Sequence, residues 1–275
     1  MGVPGWRRIL VLAAAVGFVE ALLFAVLVPL LPGFEEDLGL SKAGAGLLTS
    51  AYAVGAFAGA VPSIWSARRF GVKATVLAGL MLLALSSAAF TVPESAWLVF
   101  LARLGQGFGS AFAYTGALAW VAVVAPRARR GEAIGFAFAA AFSGALVGPL
   151  VGAAAESAGS AVVFSAVAAV AVLLAAVAAT VEKPAAEGLG GTRLRPLARD
   201  GVIRLGIWLI ALTGLLLGVL GVLAPLRLDE LGWGAAAIGA VFAIAGVLQT
   251  VANPIVGRLA DTRGGTFPLR VGLIV

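Results

Sequence analysis

Long apolar stretches, separated by short polar segments, run the length of the chain. A helix rises 1.5 Å per residue, so roughly 20 apolar residues are needed to cross the ~30 Å hydrocarbon core of a membrane. The pattern predicts eight such helices, at residues 9–31, 43–65, 73–92, 97–125, 133–155, 160–181, 204–226 and 234–256. A ninth stretch starts near Phe267 and reaches Val275 after too few residues to span. The sequence lacks strand-like segments of alternating polarity, so we predict an all-α membrane protein.

Composition and charge support this class and predict an orientation. The chain is 61% hydrophobic and 12% charged, whereas soluble domains are about half apolar and about 25% charged. Of the 19 Lys and Arg, 16 fall in loops on one side, Lys42 and Arg227 fall on the other, and Arg103 lies within a span. Basic loops collect on the cytoplasmic side. We therefore predict a multi-pass protein of the cytoplasmic (inner) membrane with its N-terminus in the cytoplasm, and no nucleic-acid partner.

A polar stretch at 182–203 divides the chain into two parts that repeat each other. We predict a six-helix bundle at 1–181, a cytoplasmic linker at 182–203 and a partial bundle at 204–275 that holds helices seven, eight and the start of nine. A shift of 193 residues aligns Pro32 with Pro225, Gly39 with Gly232, Gly46 with Gly239 and Gly71 with Gly264. Because the second part is shorter, we expect either a fragment or a truncated gene.

Three motifs carry the most specific signal. The fourth predicted helix contains Arg103-x2-Gln106-Gly107-x-Gly109-x-Ala111, and the fifth contains Gly135-x8-Gly144-x3-Gly148-Pro149-x2-Gly152. The third runs from Gly257 through Asp261 to Gly264. In lipid, small residues mark faces where helix backbones approach closely. Proline inside a helix removes a backbone hydrogen bond and favours a kink.

These motifs resemble the fourth-helix, fifth-helix antiporter and cytoplasmic-loop signatures of the major facilitator superfamily, and the chain is most similar to its proton-coupled multidrug exporters. The resemblance implies a major facilitator fold with a six-helix N-terminal bundle and an incomplete C-terminal one. It also implies that Asp261 steadies a neighbouring helix end. The corresponding first-half loop has Gly71 and Lys73 but Arg68 in place of the acid, so that loop departs from the family pattern.

Glu20 and Arg103 are the candidate proton and substrate residues, because ionisable groups within a span are costly and by default functional. Glu20 lies about 16 Å above one end of its helix and Arg103 about 9 Å below the other end of the fourth, so their levels in a ~30 Å core differ by about 5 Å, within reach of two long side chains. Glu20 stands nine residues before Pro29, with Pro32 following, a spacing that the resemblance implies marks a proton or cation site. Thr213 stands at the matching place of the second part, so no second carboxyl is evident. The alternative is a neutral Glu20 that only packs.

Other polar and aromatic side chains at mid-membrane depth complete the candidate cavity. The binding candidates are Gln106, Tyr114, Phe24, Phe138 and Phe142. Further members of the set are Tyr52, Thr115, Trp120, Trp208, Gln249 and Asn253. Aromatic faces beside one acid suit bulky lipophilic cations. Each of these residues alone has the simpler explanation of packing or interface anchoring.

The glycines of the motifs are the candidate packing and gating residues. They are Gly71, Gly107, Gly109, Gly135, Gly144, Gly148, Gly152, Gly257 and Gly264, together with Pro149 and Asp261. Gly144 and Gly148 are one helical turn apart, so we expect them to contact another helix on one face. Leucine at either position should inactivate transport, whereas we expect Gly135→Ala, near the helix end, to be mild.

The functional hypothesis is proton-coupled efflux of small lipophilic or cationic compounds by alternating access. Its partners are a small-molecule substrate, protons and the lipid bilayer, and we expect a monomer. The chain has no Cys or His and no phosphate-binding loop, so we expect no metal site, no cofactor, no ATP-driven pump and no enzyme. One alternative is an exporter of sugars, amino acids or other metabolites. Another is a truncated membrane protein that does not transport.

Overall fold

The computed structural model describes residues 5–27, 30, 34, 37–91, 95–182, 201–232, 235–265, 267, 268 and 272. Pro29, Pro32, most of the predicted linker and most of the predicted ninth helix lie outside these residues. Within them the structure is helical. The eight long helices are α1 (Trp6–Val26), α2 (Lys42–Arg69), α3 (Val72–Ala89), α4 (Ala96–Val124), α5 (Arg130–Ala158), α6 (Ser160–Thr180), α7 (Gly201–Glu230) and α8 (Ala235–Arg263).

The helices confirm the predicted membrane-spanning pattern. Seven of them, all except α7, are long and apolar enough to cross a membrane over their described residues. Within α7, the described apolar stretch is Arg204–Thr213. The largest boundary difference is in α8, which ends at Arg263 instead of near residue 256. The next is in α1, which ends at Val26 instead of near residue 31. In the sequence Pro29 follows the end of α1, and a proline disfavours continuation of a helix because it has no N–H to donate.

By contacts, the chain divides into two compact units. The first contains 1–188 and 248–275, and the second contains 189–247. In the first unit α1 packs mainly on α5, and α4 packs on α2 and α3. A buried apolar cluster joins α1, α4 and α6, and its rings Phe90 and Phe164 stack with centroids 4.4 Å apart. The predicted domain boundaries stay a prediction.

The paired glycines of the internal repeat share an unusual backbone. Gly39 and Gly232 have φ of 61° and 83°, and Gly71 and Gly264 have φ of 89° and 82°. A residue with a Cβ rarely adopts positive φ, so glycine is the natural residue at each of these turns. Two pairs, separated by the same number of residues, thus make the same backbone turn at corresponding places.

Lys73 connects the first of these turns to another helix. Its ammonium donates to the backbone carbonyls of Ala179, at 2.7 Å, and Val181. The last carbonyls of a helix have no partner within the helix, and a cation there is stabilised by the helix dipole. Lys73 therefore caps the C-terminal end of α6 and fixes the start of α3 beside it.

Candidate functional site

Glu20 lies on α1 beside two hydroxyl groups from other helices. Its Oε1 accepts hydrogen bonds from Ser110 Oγ of α4, at 2.8 Å, and from the Tyr52 hydroxyl of α2, at 3.2 Å. Tyr52 and Ser110 are buried, at 3% and 2% exposure, and Glu20 is half-buried. The carboxylate is thus held by three helices at once.

Arg103 is fully buried on α4 and caps the end of α1. Nη1 donates to the carbonyl of Leu23 at 2.9 Å, and Nη2 donates to the carbonyl of Phe24 at 2.8 Å. Because α1 ends at Val26, these carbonyls belong to its last turn and lack partners within the helix. A buried charge needs such compensation. Arg103 therefore has a structural partner, the last turn of α1, that the sequence pattern did not indicate.

The two ionisable groups lie close together but do not pair. In the part of the chain that the structure describes, no ion pair joins Arg103 to Glu20, whereas one joins Arg129 to Glu132. The guanidinium carbon of Arg103 lies 4.6 Å from the centre of the Tyr52 ring, and the hydroxyl of the same ring donates to Glu20. Tyr52 therefore separates the cation from the carboxylate and contacts both.

Gln106 continues this polar group along α4. Its Oε1 accepts from Arg103 Nη1 at 3.1 Å, and its Nε2 donates to Ser87 Oγ at 3.3 Å. Gln106 and Ser87 are both fully buried. Gln106 thus adds a second partner for Nη1 beside the Leu23 carbonyl, so little freedom remains for the Arg103 side chain.

Two pairs of aromatic rings lie near Glu20. Phe24 and Tyr52 have centroids 5.4 Å apart, and Tyr114 and Phe138 meet edge to face at 6.1 Å. Phe24 and Phe138 remain 45% and 40% exposed. Among the described residues the Tyr114 hydroxyl is buried without a partner. The arrangement combines accessible aromatic surface, one carboxyl group and one free hydroxyl.

Three other predicted cavity aromatics have different surroundings. Phe142 is partly buried on α5. Trp120 is fully buried, so it is a packing residue of the bundle and not a cavity aromatic as expected. Trp208 is 74% exposed on α7. Of the described residues, no group of three or more His, Cys, Asp or Glu could hold a metal ion.

The motif glycines lie where helix backbones meet. A Cβ on Gly144 would stand 2.1 Å from the carbonyl oxygen of Phe18, and one on Gly148 would stand 2.7 Å from Cβ of Ala25, both on α1. On α4, Gly107 faces α2 and Gly109 faces α3 in the same way. The contact predicted for Gly144 and Gly148 is confirmed. Gly152 is buried nearby, and Pro149 lies exposed within the continuous α5. The gating role of these residues stays a prediction.

The start of α5 packs tightly on the end of α8. Gly131 and Gly257 are so close that a Cβ on Gly257 would stand 2.2 Å from the Gly131 carbonyl oxygen. The two carboxylate oxygens of Asp261 accept from the backbone N–H groups of Gly131 and Glu132, each at 2.8 Å. These amides lie in the first turn of α5, where N–H groups lack helical partners. Asp261 therefore caps α5.

The same contact corrects the expectation for Gly135. A Cβ there would stand 2.4 Å from the backbone oxygen of Asn253 on α8. We therefore expect alanine at this position to be disruptive, because the Asn253 oxygen belongs to a helix backbone and cannot rotate away from the new Cβ. The sequence argument placed Gly135 near a helix end and missed that α8 crosses there.

Ser110 and the bridging position of Tyr52 were missed by sequence reasoning. A signal existed for Ser110, because Arg103, Gln106, Ser110 and Tyr114 follow one another at spacings of three or four residues. Such spacings place all four on one face of α4. No comparable pattern points to the carbonyls of Leu23 and Phe24, because every residue has a carbonyl group.

Comparisons with known proteins agree with this architecture. The family model described as Major Facilitator Superfamily matches residues 13–275. The chain is 32% identical over 128 residues to the MFS-type transporter ppzB of Metarhizium rileyi, covering 44% of this chain. It is 28% identical over 126 residues to Multidrug resistance protein 2 of Bacillus subtilis, covering 45% of this chain. These alignments cover 26% and 31% of the two relatives' own length.

Solved structures of low sequence identity share the fold. A crystal structure of a D-xylose-proton symporter matches with a TM-score of 0.61 at 18% identity, covering 92% of this chain and 66% of that one. A partially occluded inward open conformation of the xylose transporter XylE from E. coli matches with a TM-score of 0.58 at 16% identity, covering 94% and 71%.

Proposed function

The chain belongs to the major facilitator superfamily, and from that premise we propose that it exports small lipophilic or cationic compounds in exchange for protons. Members of this superfamily are secondary transporters, and in such folds the substrate and ion sites lie near the middle of the membrane. Alternating access exposes that site first to one side of the membrane and then to the other. In this proposal the site is the region around Glu20.

The bonding of Glu20 is the observation that carries the proposal. Hydroxyl groups both donate and accept hydrogen bonds. Ser110 and Tyr52 donate to the carboxylate, and after rotation of an O–H they can accept from the carboxylic acid. Both protonation states therefore have partners, so Glu20 can gain and lose a proton without leaving a buried polar group unsatisfied.

Because Arg103 does not pair with Glu20, gain or loss of a proton by Glu20 changes how strongly the site attracts a cation. A carboxylate in a direct ion pair would already have its negative charge neutralised by the arginine, so it would attract a cationic substrate less strongly. Here Arg103 is engaged by α1 and Gln106. Loss of a proton from Glu20 then adds a negative charge that a cationic substrate can neutralise. Proton and cation thus compete for one group, which is the minimum requirement for exchange.

The aromatic rings support a lipophilic substrate class. The exposed faces of Phe24 and Phe138 can pack on an apolar body, and cations are attracted to ring faces within about 6 Å. The free hydroxyl of Tyr114 can bind one polar group of the substrate. The name of the Bacillus subtilis relative, Multidrug resistance protein 2, points to the same class. The xylose transporters share the fold at 18% identity or less, so they do not favour a sugar substrate.

The packing residues have a proposed role in the same cycle. Gly144 and Gly148 let α5 move along α1 at close range, and Pro149 provides a point where α5 can bend. Asp261 and Gly257 hold α8 on α5, and Gly264 and Gly71 form the matching turns of the two halves. The proposed location is an inner membrane, with the N-terminus of α1 in the cytoplasm.

Transport in everted membrane vesicles tests the proposal. Cells expressing the gene supply the vesicles, and ethidium release under an imposed pH gradient supplies the readout. We expect Glu20→Gln to abolish proton-driven transport and substrate-induced proton release, because an amide cannot exchange a proton. The matched control is Glu132→Gln, which removes a half-buried carboxylate on α5 that is paired with Arg129. It should leave transport unchanged.

Three results of the vesicle experiment would contradict the proposal. If Glu20→Gln vesicles transport every tested compound with an unaltered dependence on the pH gradient, Glu20 has only a packing role. If the wild-type vesicles move no cation but exchange sugars or amino acids for protons, the metabolite alternative replaces the drug alternative. A wild-type protein that carries neither protons nor solutes would favour the non-transporting alternative.

A further inference from the structure

A groove between α1 and α6 lies apart from the site around Glu20. Its volume is about 890 Å³, and it runs along α1 from Gly5 to Ala15 and along α6 from Leu174 to Glu182. Leu12, Ala15, Leu174 and Val177 give it apolar walls. The mouth, at the N-terminal end of α1, is formed by the exposed residues Arg7 and Arg8. Two cations thus line the same groove as these apolar side chains.

These arginines stand where cations are electrostatically unfavourable. They lie in the first turn of α1, whose capping position is Gly5 and whose first turn has no acid. The unpaired N–H groups of a helix N-terminus already carry a partial positive charge. Among the described residues neither arginine forms an ion pair, and Glu182, the carboxylate at the mouth, does not pair with them. An anion at the mouth would be stabilised by both side chains and by the helix end.

We propose that this groove binds an anionic glycerophospholipid from the leaflet that meets the N-terminus of α1. The phosphate group lies between Arg7 and Arg8, and an acyl chain lies along Leu12, Ala15 and Val177. A basic pocket between transmembrane helices is a known setting for anionic headgroups. The apolar walls, which continue from Ile9 to Ala15 for about 9 Å along α1, favour a lipid over a free anion. Repulsion from the arginines disfavours the basic segment that follows Glu182.

Photo-cross-linking in nanodiscs tests the lipid and its position. The purified chain is placed in phosphatidylcholine discs that contain a small fraction of a diazirine-labelled lipid, either phosphatidylglycerol or phosphatidylcholine. Adducts are then mapped by peptide mass spectrometry. We expect phosphatidylglycerol adducts to concentrate on residues 5–15 and 174–182. Each arginine should contribute about fivefold, so their yield should exceed that of phosphatidylcholine by about 5- to 25-fold.

Variants separate this site from general surface charge. Arg7→Gln/Arg8→Gln should lower the phosphatidylglycerol yield to the phosphatidylcholine level. Arg68→Gln/Arg69→Gln removes a second pair, at the C-terminal end of α2 where cations are favourable. That control should leave the yield unchanged. Leu174→Trp fills the apolar wall and should reduce groove adducts of both lipids.

Three outcomes would overturn the proposal. The first is equal labelling by the two lipids, or adducts spread evenly over the helices. The second is competition by millimolar inorganic phosphate, which would show a free-anion site. The third is an equal loss of labelling in both arginine variants, which would show a general surface charge effect. The wild-type comparison of the two lipids needs no variant, so it decides the matter even if a variant fails to fold.

Discussion

The ends of α2 and α8 occupy corresponding places in the internal repeat, yet they make different contacts. Each ends in a turn at a glycine of positive φ, Gly71 or Gly264. The end of α8 approaches α5 until backbones touch at Gly131 and caps it through Asp261. The end of α2 is followed by Lys73, which caps α6. The matching turns therefore lie beside contacts with different helices: α5 in the second half and α6 in the first.

Two residue differences at matching positions explain the contrast. Where α8 has Gly257 and Asp261, α2 has Ile64 and Arg68. Glycine permits the close approach, and the carboxylate can reach the amides only after that approach. Ile64 is 40% exposed, and an arginine has no oxygen to accept from a helix N-terminus. The cap of α5 therefore depends on two residues: Gly257, which permits the close approach of α8, and Asp261, whose carboxylate accepts from the amides.

We expect the largest effect when Gly257 of α8 is replaced by isoleucine, which is the residue at the matching position of α2. Gly257→Ile places a Cβ 2.2 Å from the Gly131 carbonyl oxygen, and overpacking of this kind costs about 1–3 kcal/mol or more. We expect a lower unfolding midpoint in detergent and fast amide exchange at Gly131 and Glu132. Ile64→Ala is the control and should leave those amides protected. Preserved protection in Gly257→Ile would mean that the approach of α8 does not need glycine.

An intermediate effect is expected for Gly135→Ala, one methyl group on the same contact. The new Cβ would lie 2.4 Å from the Asn253 oxygen, so part of the 1–3 kcal/mol of overpacking should appear. Gly46→Ala on α2 is the matched control, because nothing lies within 4 Å of its Cβ position. Alanine usually stabilises a helix by about 0.5–1 kcal/mol relative to glycine. Equal unfolding midpoints for the two variants would show that α8 does not pack closely on α5 at Gly135.

We expect the smallest effect when only the Asp261 carboxylate is removed and Gly257 is kept. Asp261→Ala deletes the cap of α5, and loss of a helix cap costs about 0.5–2 kcal/mol. Hydrogen exchange at Gly131 and Glu132 should accelerate while the rest of α5 is unchanged. Asp261→Asn keeps one acceptor and should lie between wild type and alanine, and Arg68→Ala should have no effect on these amides. An alanine variant as protected as wild type would show that the glycine contact alone holds α5.

The sequence predicted what depends on side-chain pattern and missed what depends on backbone. The helices, the nearness of Glu20 and Arg103 and the contact face of Gly144 followed from hydrophobic runs and spacing. The partners of Arg103 did not, because the carbonyls of Leu23 and Phe24 are available only where α1 ends. Gly135 was misjudged for a related reason. Its environment is set by the crossing of α8, which is more than 100 residues away in the chain.

The cap that Arg103 forms on α1 also bears on how such a protein can diversify. Arg103 recognises Leu23 and Phe24 through their carbonyls, so substitutions of those two side chains leave its hydrogen bonds in place. Phe24 also presents an exposed ring beside Glu20. Mutation at position 24 can therefore alter which molecules are accepted while the polar group that supports the site persists. Selection for a new substrate can therefore act on residue 24 without disturbing the hydrogen bonds of Arg103.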